Sequence, residues 1–356
     1  MVTIQDVARA AGVSPMTVSN VLNERSHVRP ATRERVMDAI SELDYRVNVA
    51  ARNLRAGRTG TIGLAVPDLD RAYTGQLASR IVHAGQRHGL RVVVEETGAR
   101  KESEMDAIAL SRLRMYDGLI ISAVGLGVAD LEQMRPTGPI VLLGERISGS
   151  QVDHVGMPNV EGARAVVEHL VQAGRRSIAV VGAPPGFHLD PERNDLDAAL
   201  LRIRGYHEAL ENAGIRPDPA LIIETEEWSL AAGAAGAAAL SERGLTCDAI
   251  FCLTDSLALG ALRQLADEGL RVPDDVAVAG FDDIIESQYS VPRLTTVAPD
   301  HEQIADTALR FLVERIASGD KPGPGRDVTS SFRVMVREST VTGRTTEHPD
   351  ASQRAQ

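Results

Sequence analysis

Two helix starts separated by one glycine, all within the first 23 residues, leave this chain little choice at its amino end. Thr3 can cap one helix, with Asp6 near the free N–H groups of the first turn. Ser14 can cap a second, with Pro15 at its first position. Ile4, Val7, Ala8 and Ala11 recur on one helical face, as do Val18, Val21 and Leu22. Gly12 supplies the tight turn between them. A third segment, Pro30 to Leu43, carries Val36, Ile40 and Leu43 inward and gives the pair something to pack on. The second helix turns Met16, Thr17, Ser19 and Asn20 outward, a small and polar surface that suits a DNA major groove. The pattern is helix-turn-helix. Two amphipathic helices and a turn also occur without any nucleic acid, so charge has to weigh in.

It does. The first 58 residues carry nine basic and six acidic side chains, net +3, while the remaining 298 carry 29 and 43, net −14. An acidic body that keeps its positive charge at one end implies a nucleic-acid module joined to something else. At 43 % hydrophobic residues over 356 positions, the chain has core enough for more than one domain. No apolar run reaches the ~20 residues of a membrane span, so no membrane partner is expected, and the amino end lacks a signal peptide's apolar stretch. Cys247 and Cys252 offer neither a disulfide framework nor a metal motif, which fits a cytoplasmic protein.

From Thr61 onward strands and helices alternate: Thr61–Val66, Gly75–His88, Leu90–Glu95, a helix from Ser103, Gly118–Ser122, Pro139–Leu143. A second series follows with Val160–Ala173, Ile178–Val181, Arg202–Ala213, Leu230–Arg243, Ala249–Leu253, Ser256–Glu268 and Val276–Ala279. This alternation predicts an α/β body of parallel sheets in two lobes, with a ligand cleft beyond the strands' carboxyl ends. Tyr73, Asp255 and Asp282 follow strands; Trp228, the only tryptophan, and Arg202 open helices. On residues alone each has a structural alternative: a core anchor for Trp228, helix caps for the aspartates, a solvated face for Arg202 and the surface for Tyr73.

The run TIQDVARAAGVSPMTVSNVLN, then TRERVMDAISELDY, then NVAARNLRAG resembles the LacI/GalR family of bacterial transcription regulators, and the likeness continues to about Glu338. The resemblance implies a helix-turn-helix domain over 1–47, a hinge helix over 48–58, a two-lobed periplasmic-binding-protein-like core over 59–340 and a polar tail over 341–356. It implies chain crossings between the lobes within several residues of Asn159, Pro292 and Pro324. It places Pro15, Met16 and Asn20 against base edges, Ser19 on the same DNA-facing surface, and Thr3, Ser14, Thr17, His27, Arg29 and Thr32 on phosphates. Asn48, Ala51 and Leu54 fall on the hinge, with Leu54 as the leucine wedge that opens the central base step. A helix that short is marginal alone, so it orders only beside its twin on a palindromic operator, in a homodimer.

By the same resemblance Tyr73, Arg202, Trp228, Asp255 and Asp282 contact an effector, and aromatic faces beside carboxylates and an arginine describe a sugar site. Several departures matter. Relatives that bind purines carry an arginine and a hydroxyl residue where Leu196 and Ala198 stand, which argues against a purine. Thr254 and His301 replace an amide and an aromatic ring, Val47 replaces the proline before the hinge, and the acidic 184–200 segment is long. The expected function is a repressor under allosteric control. The alternative, a carbohydrate-binding protein without a DNA role, needs no basic headpiece. An enzyme lacks support: no nucleophile motif, phosphate loop or metal spacing accompanies Asp282-Asp283, His154 or His188, so no catalytic residue, metal or cofactor is expected.

Overall fold

The computed structural model describes residues 2–22, 25, 28–45, 58–112, 115–127, 130, 138–145, 152–187, 197–319 and 323–341. His27, Asn48, Ala51, Leu54, most of the 184–200 segment and the tail beyond Val341 lie outside the described residues. The chain forms two units, Met1–Gly60 and Thr61–Gln356.

In the first unit, α1 (Ile4–Ala11) begins on a reciprocal cap in which the Thr3 Oγ1 and backbone N–H both donate to Asp6, at 2.7 and 2.9 Å. Gly12 ends it at φ 63°, a left-handed value that costs glycine nothing. The Ser14 hydroxyl accepts from Thr17 N–H at 3.1 Å and starts α2 (Pro15–Leu22). α3 (Pro30–Glu42) has Pro30 in its first turn but no side-chain cap from Arg29. Val7, Ala8, Ala11, Val18, Val21, Val36 and Ala39 form the core, with Ile4, Leu22, Ile40 and Leu43 around it. Two arginines of α3 bind helix ends rather than pointing free: Arg33 donates to the carbonyls of Val21 and Arg25, and Arg35 to that of Ala11 at 3.0 Å.

The second unit holds two six-stranded sheets. The first takes β1 (Thr61–Val66), β2 (Arg91–Glu96), β3 (Leu119–Ser122), β4 (Ile140–Leu143) and β5 (Asp153–Gly156), with helices α4 (Ala72–Arg87) and α5 (Lys101–Arg112). The second takes β6 (Ile178–Ala183), β7 (Ile222–Glu224), β8 (Ala249–Cys252), β9 (Ala277–Phe281) and β10 (Thr295–Pro299). Its helices are α6 (Asn159–Gln172), α7 (Ala198–Asn212), α8 (Leu230–Glu242) and α9 (Asp255–Asp267). The chain then returns: α10 (His301–Ser318) packs on the first sheet, β11 (Asp327–Thr329) completes it, and β12 (Phe332–Met335) completes the second. Strand order is β11-β5-β4-β3-β1-β2 and β12-β10-β9-β8-β6-β7, parallel throughout except β12.

Alternation along the strands feeds both faces of each sheet. Ile120 packs with Ile62 and Leu64 under α4 and α10, whereas its neighbours Leu119 and Ile121 pack under α5 with Ile108. In the second lobe α8 and α9 touch backbone to backbone, since a Cβ on Gly233 would come within 2.0 Å of the Leu257 carbonyl.

Two of the three lobe crossings come later along the chain than the positions named from sequence. The first, at Met157-Pro158, matches the predicted position near Asn159. The second comes at Asp300, eight residues after Pro292, because β10 still pairs with β9. The third comes at Ser330-Ser331, because β11 beyond Pro324 still pairs with β5. The three are laced together: Ser330 N–H donates to Gly156 O at 3.0 Å and Asp300 N–H to Ser331 O at 2.9 Å.

Candidate functional site

On α2, Val18 and Val21 face the core, so the helix's own geometry turns Met16 and Asn20, four residues apart, to the opposite side. Met16 is 69 % exposed. Ser14 and Pro15 are exposed beside it, Thr17 and Ser19 are half-exposed on its flanks, and Thr3, Arg29 and Thr32 stand at the starts of α1 and α3. Every described residue placed on DNA by sequence is therefore at a helix start or on the outer face of α2.

In the second unit the carboxyl ends of the strands supply the site. Arg202, in the second turn of α7, is its centre and is 3 % exposed. Its Nε donates to Asn159 Oδ1 at 2.7 Å, Nη1 to the carbonyl of Leu253 just past β8, and Nη2 approaches Asp282 Oδ1 at 3.4 Å. The guanidinium lies 3.7 Å from the Phe281 ring centre and 5.4 Å from that of Trp228. Trp228 spends its indole N–H on the Gly182 carbonyl at 2.9 Å. Across from them Tyr73, second residue of α4, sets its hydroxyl 3.2 Å from Met157 Sδ, and Glu145, past the end of β4, accepts from Met157 N–H at 2.8 Å. Gln76 of α4 reaches the second lobe directly, bonding Glu286 and the Ile285 N–H at 3.2 and 3.3 Å.

Asp282 and Asp283 take φ values of 117° and 50°, backbone that ordinary residues avoid at a cost of about 1–3 kcal/mol each. Arg337 holds Asp283 at 2.6 Å, and Arg202 faces Asp282. Burial pushes the Asp282 carboxyl up to about 8; Arg202 pulls it back and Asp255 adds to the rise. Asp255 is pushed up to about 6 by burial, against the pull of its hydrogen bonds.

Sequence placed five effector residues here, and the structure brings four together: Tyr73, Arg202, Trp228 and Asp282. Asp255 is a correction. It is fully buried, and both carboxylate oxygens are taken by Thr296, Ser287 and the Ile284 N–H at 2.5, 2.7 and 3.0 Å. It fastens the turn after Asp282 instead of facing the cleft. Thr254 caps α9, accepting from Leu257 N–H at 3.3 Å.

Residues 3–48 match the model for bacterial regulatory proteins of the lacI family, and residues 167–340 that for a periplasmic binding protein-like domain. The HTH-type transcriptional repressor PurR of Vibrio atlanticus is 33 % identical over 345 residues, 96 % of this chain and 99 % of that one. The chain belongs to the LacI family. It is a DNA-binding transcriptional regulator, not a pure carrier. The HTH-type transcriptional regulator CelR of Thermobifida fusca is 33 % identical over 348 residues, 95 % of this chain and 98 % of that one. Among solved structures, the lac repressor dimer bound to operator and the anti-inducer ONPF matches with TM-score 0.79 at 29 % identity, covering 96 % of this chain and 99 % of that one. A CelR–cellobiose complex matches with TM-score 0.68 at 30 % identity, covering 95 % and 100 %.

Four residues that surround this candidate site escaped sequence reasoning: Glu145, Met157, Asn159 and Phe281. Three of them, Glu145, Met157 and Phe281, sit at or just past the end of a strand, so the rule that found Tyr73 and Asp282 reaches them too. Asn159 carried no signal beyond its place at the crossing.

The displaced carboxyl gives a pH test. Folded Asp282 keeps its proton to about 8 while an unfolded aspartate loses it near 3.8, so the folded state binds more protons between those values and stability falls as pH rises. Below 6.5 buried His301, His169 and His207, all shifted down by burial, act with the opposite sign. Unfolded histidine is still half protonated at 6.5, so their opposition fades only toward pH 7.5, and the comparison with Asp282→Asn, which keeps the same histidines, isolates the aspartate. From pH 6.5 to 8 urea unfolding is expected to show the parent losing about 1–2 kcal/mol relative to Asp282→Asn. Parallel profiles for the two proteins contradict the burial of this carboxyl.

Proposed function

We propose that this chain is a repressor: a cytoplasmic homodimer that grips a palindromic operator through paired helix-turn-helix domains and answers a sugar bound between the lobes. The carrying observation is Arg202, clamped by Asn159 and Asp282 and sandwiched by Phe281 and Trp228, with Tyr73 opposite. Aromatic faces take the apolar side of a sugar ring, while fixed donors and acceptors take its hydroxyls.

Relatives support the same class. One is complexed with cellobiose, one is named a ribose operon repressor, and one is a repressor dimer on its operator. All are regulators rather than enzymes. A single headpiece covers one half-site, so a palindrome needs two chains. Sugar binding shifts the lobes, the hinge carries that shift to the headpieces, and Leu54 enters the minor groove when the hinge helices pair.

The test joins two measurements on the full chain. A thermal-shift screen of D-ribose, D-glucose and cellobiose is expected to raise the melting temperature with at least one of them, by mass action. Footprinting on the DNA upstream of its own gene is expected to show a protected palindrome. No protected site at any sugar concentration overturns the repressor reading.

A further inference from the structure

β5 buries a histidine where the strand beside it, β4, buries only aliphatic side chains. His154 is 4 % exposed, and both of its ring nitrogens meet acceptors. Nδ1 lies 2.9 Å from Asp327 Oδ1 on β11, its register partner, and Nε2 lies against the carbonyl oxygen of Gly144, just past β4. A backbone carbonyl accepts only, and so does an ionised carboxylate; the Asp327 side chain is half-exposed. A neutral imidazole has a single N–H, so its other nitrogen would push a lone pair at an oxygen inside a buried contact. The two contacts are satisfied together only with a proton on each nitrogen. The charges around the ring agree: Asp327 faces it from β11 and Glu145 from beyond β4. Its neighbour Asp153 is already held by Arg315 of α10 and by Arg326.

The ring matters because of where its partners lead. Gly144 turns the chain at φ 94°, and the next residue is Glu145, whose carboxylate accepts from Met157 N–H at 2.8 Å. The Glu145 charge acts on the Tyr73 hydroxyl, and Arg202 acts on Glu145 in turn, so this carboxylate belongs to the cleft. Burial lifts it above the usual carboxylate range; the Met157 N–H and then His154 pull it back. A Cβ on Gly156 would come within 3.0 Å of His154 Cε1 and 3.2 Å of Glu145 Oε2, so ring and carboxylate meet over that glycine. We infer that His154 is a positioning residue of the cleft: protonated on both nitrogens, it bolts the Gly144 carbonyl to β11 and fixes Glu145 where a sugar hydroxyl meets it. This rests on the sugar reading above. Loss of one proton breaks one of the two bonds and removes the attraction for Glu145. The turn then loosens, and the grip on the sugar weakens as pH rises.

The experiment has two arms, both on the full-length protein. Proton–nitrogen correlation spectra of nitrogen-15 histidine-labelled protein at neutral pH are expected to show both ring nitrogens of His154 protonated. The signal is assigned by its loss in His154→Gln or its displacement in Asp327→Asn. Calorimetric titration with D-ribose, D-glucose and cellobiose then follows affinity from about pH 6 to about pH 9. For whichever sugar binds, wild-type affinity is expected to fall by about fivefold or more beyond any fall in His154→Gln, which has no proton to lose there but keeps Asp282. Asp327→Asn removes the counter-charge, so its fall is expected at lower pH than in wild type. A purely structural role for His154 would lower affinity in His154→Gln by the same factor at every pH. A single protonated ring nitrogen, or parallel pH profiles for wild type and both variants, overturns the inference while the sugar reading stands. If wild type binds none of the sugars, the sugar reading itself fails, and this inference with it.

Discussion

Replacing Arg202 by methionine is expected to cost about 3–5 kcal/mol of unfolding free energy and to abolish the response to sugar. The guanidinium is 3 % exposed and serves three acceptors on three elements: Asn159 at the first crossing, Leu253 past β8, and Asp282 past β9. Methionine fills the space between Phe281 and Trp228 but donates nothing. The Asn159 and Leu253 oxygens are then buried without a donor, at about 1–3 kcal/mol each, and Asp282 loses its facing donor. Arg202→Lys keeps the charge but cannot fork toward three oxygens, so an intermediate loss is expected. Asp282→Asn keeps the shape and exchanges the carboxyl for an amide; it should fold and still bind sugar poorly. Urea unfolding and sugar titration of the three variants check this, and Arg202→Met within about 1 kcal/mol of the parent would contradict the buried clamp.

Asn20→Ala is expected to weaken operator binding by about tenfold to a hundredfold while sugar affinity stays unchanged. Asn20 and Met16 share the outer face of α2, and an asparagine amide can pair with both hydrogen-bonding atoms of an adenine edge. The loss should be confined to specific sites. Arg29→Ala, by contrast, should weaken binding to any sequence alike and lower the salt slope by about one unit. On the proposed hinge model, Leu54→Ala should weaken the specific complex and reduce DNA bending, the expected result of removing a leucine wedge between base steps. Fluorescence anisotropy against operator and scrambled duplexes separates these outcomes. Equal operator affinity for Asn20→Ala and wild type would remove α2 as the reading helix.

The parts of this fold that could be read from sequence are those set by local rules. Thr3, Gly12 and Ser14 announce the headpiece because a cap or a left-handed turn needs only its immediate neighbours. The parallel strands are legible as apolar runs because both faces are buried. β5 breaks that rule. It is buried throughout, yet it reads Asp153-His154-Val155-Gly156, because Arg315 and Arg326 bind Asp153 and Asp327 binds His154. Those two arginines together hold the Asp153 carboxyl below the usual carboxylate range, although burial pulls it upward.

The return segments were the second blind spot. β11 and β12 are three and four residues long, too short for a period to show. α10 is different, since Ile304, Ala308, Leu309 and Leu312 repeat at helical spacing and needed only to be counted. At the site, Asp255 misled because a strand-end aspartate looks the same whether it faces the cleft or fastens a turn. Only the partners tell, and Thr296 and Ser287 lie 41 and 32 residues away. Helix α7 starts at Ala198, not Arg202, because Asp197 caps it by accepting from Ala199 N–H at 2.8 Å. That shift puts Arg202 a turn inside the helix, where it is buried rather than solvated.

One claim underlies the rest: occupancy of the cleft and grip on DNA are two ends of a single equilibrium. The direct measurement is operator affinity of the full-length protein, with and without a saturating sugar from the thermal-shift screen, at fixed salt. A change of about 5- to 150-fold, matched by an equal change in sugar affinity when operator is present, is what linkage requires. Operator affinity that stays the same at saturating sugar would contradict the account.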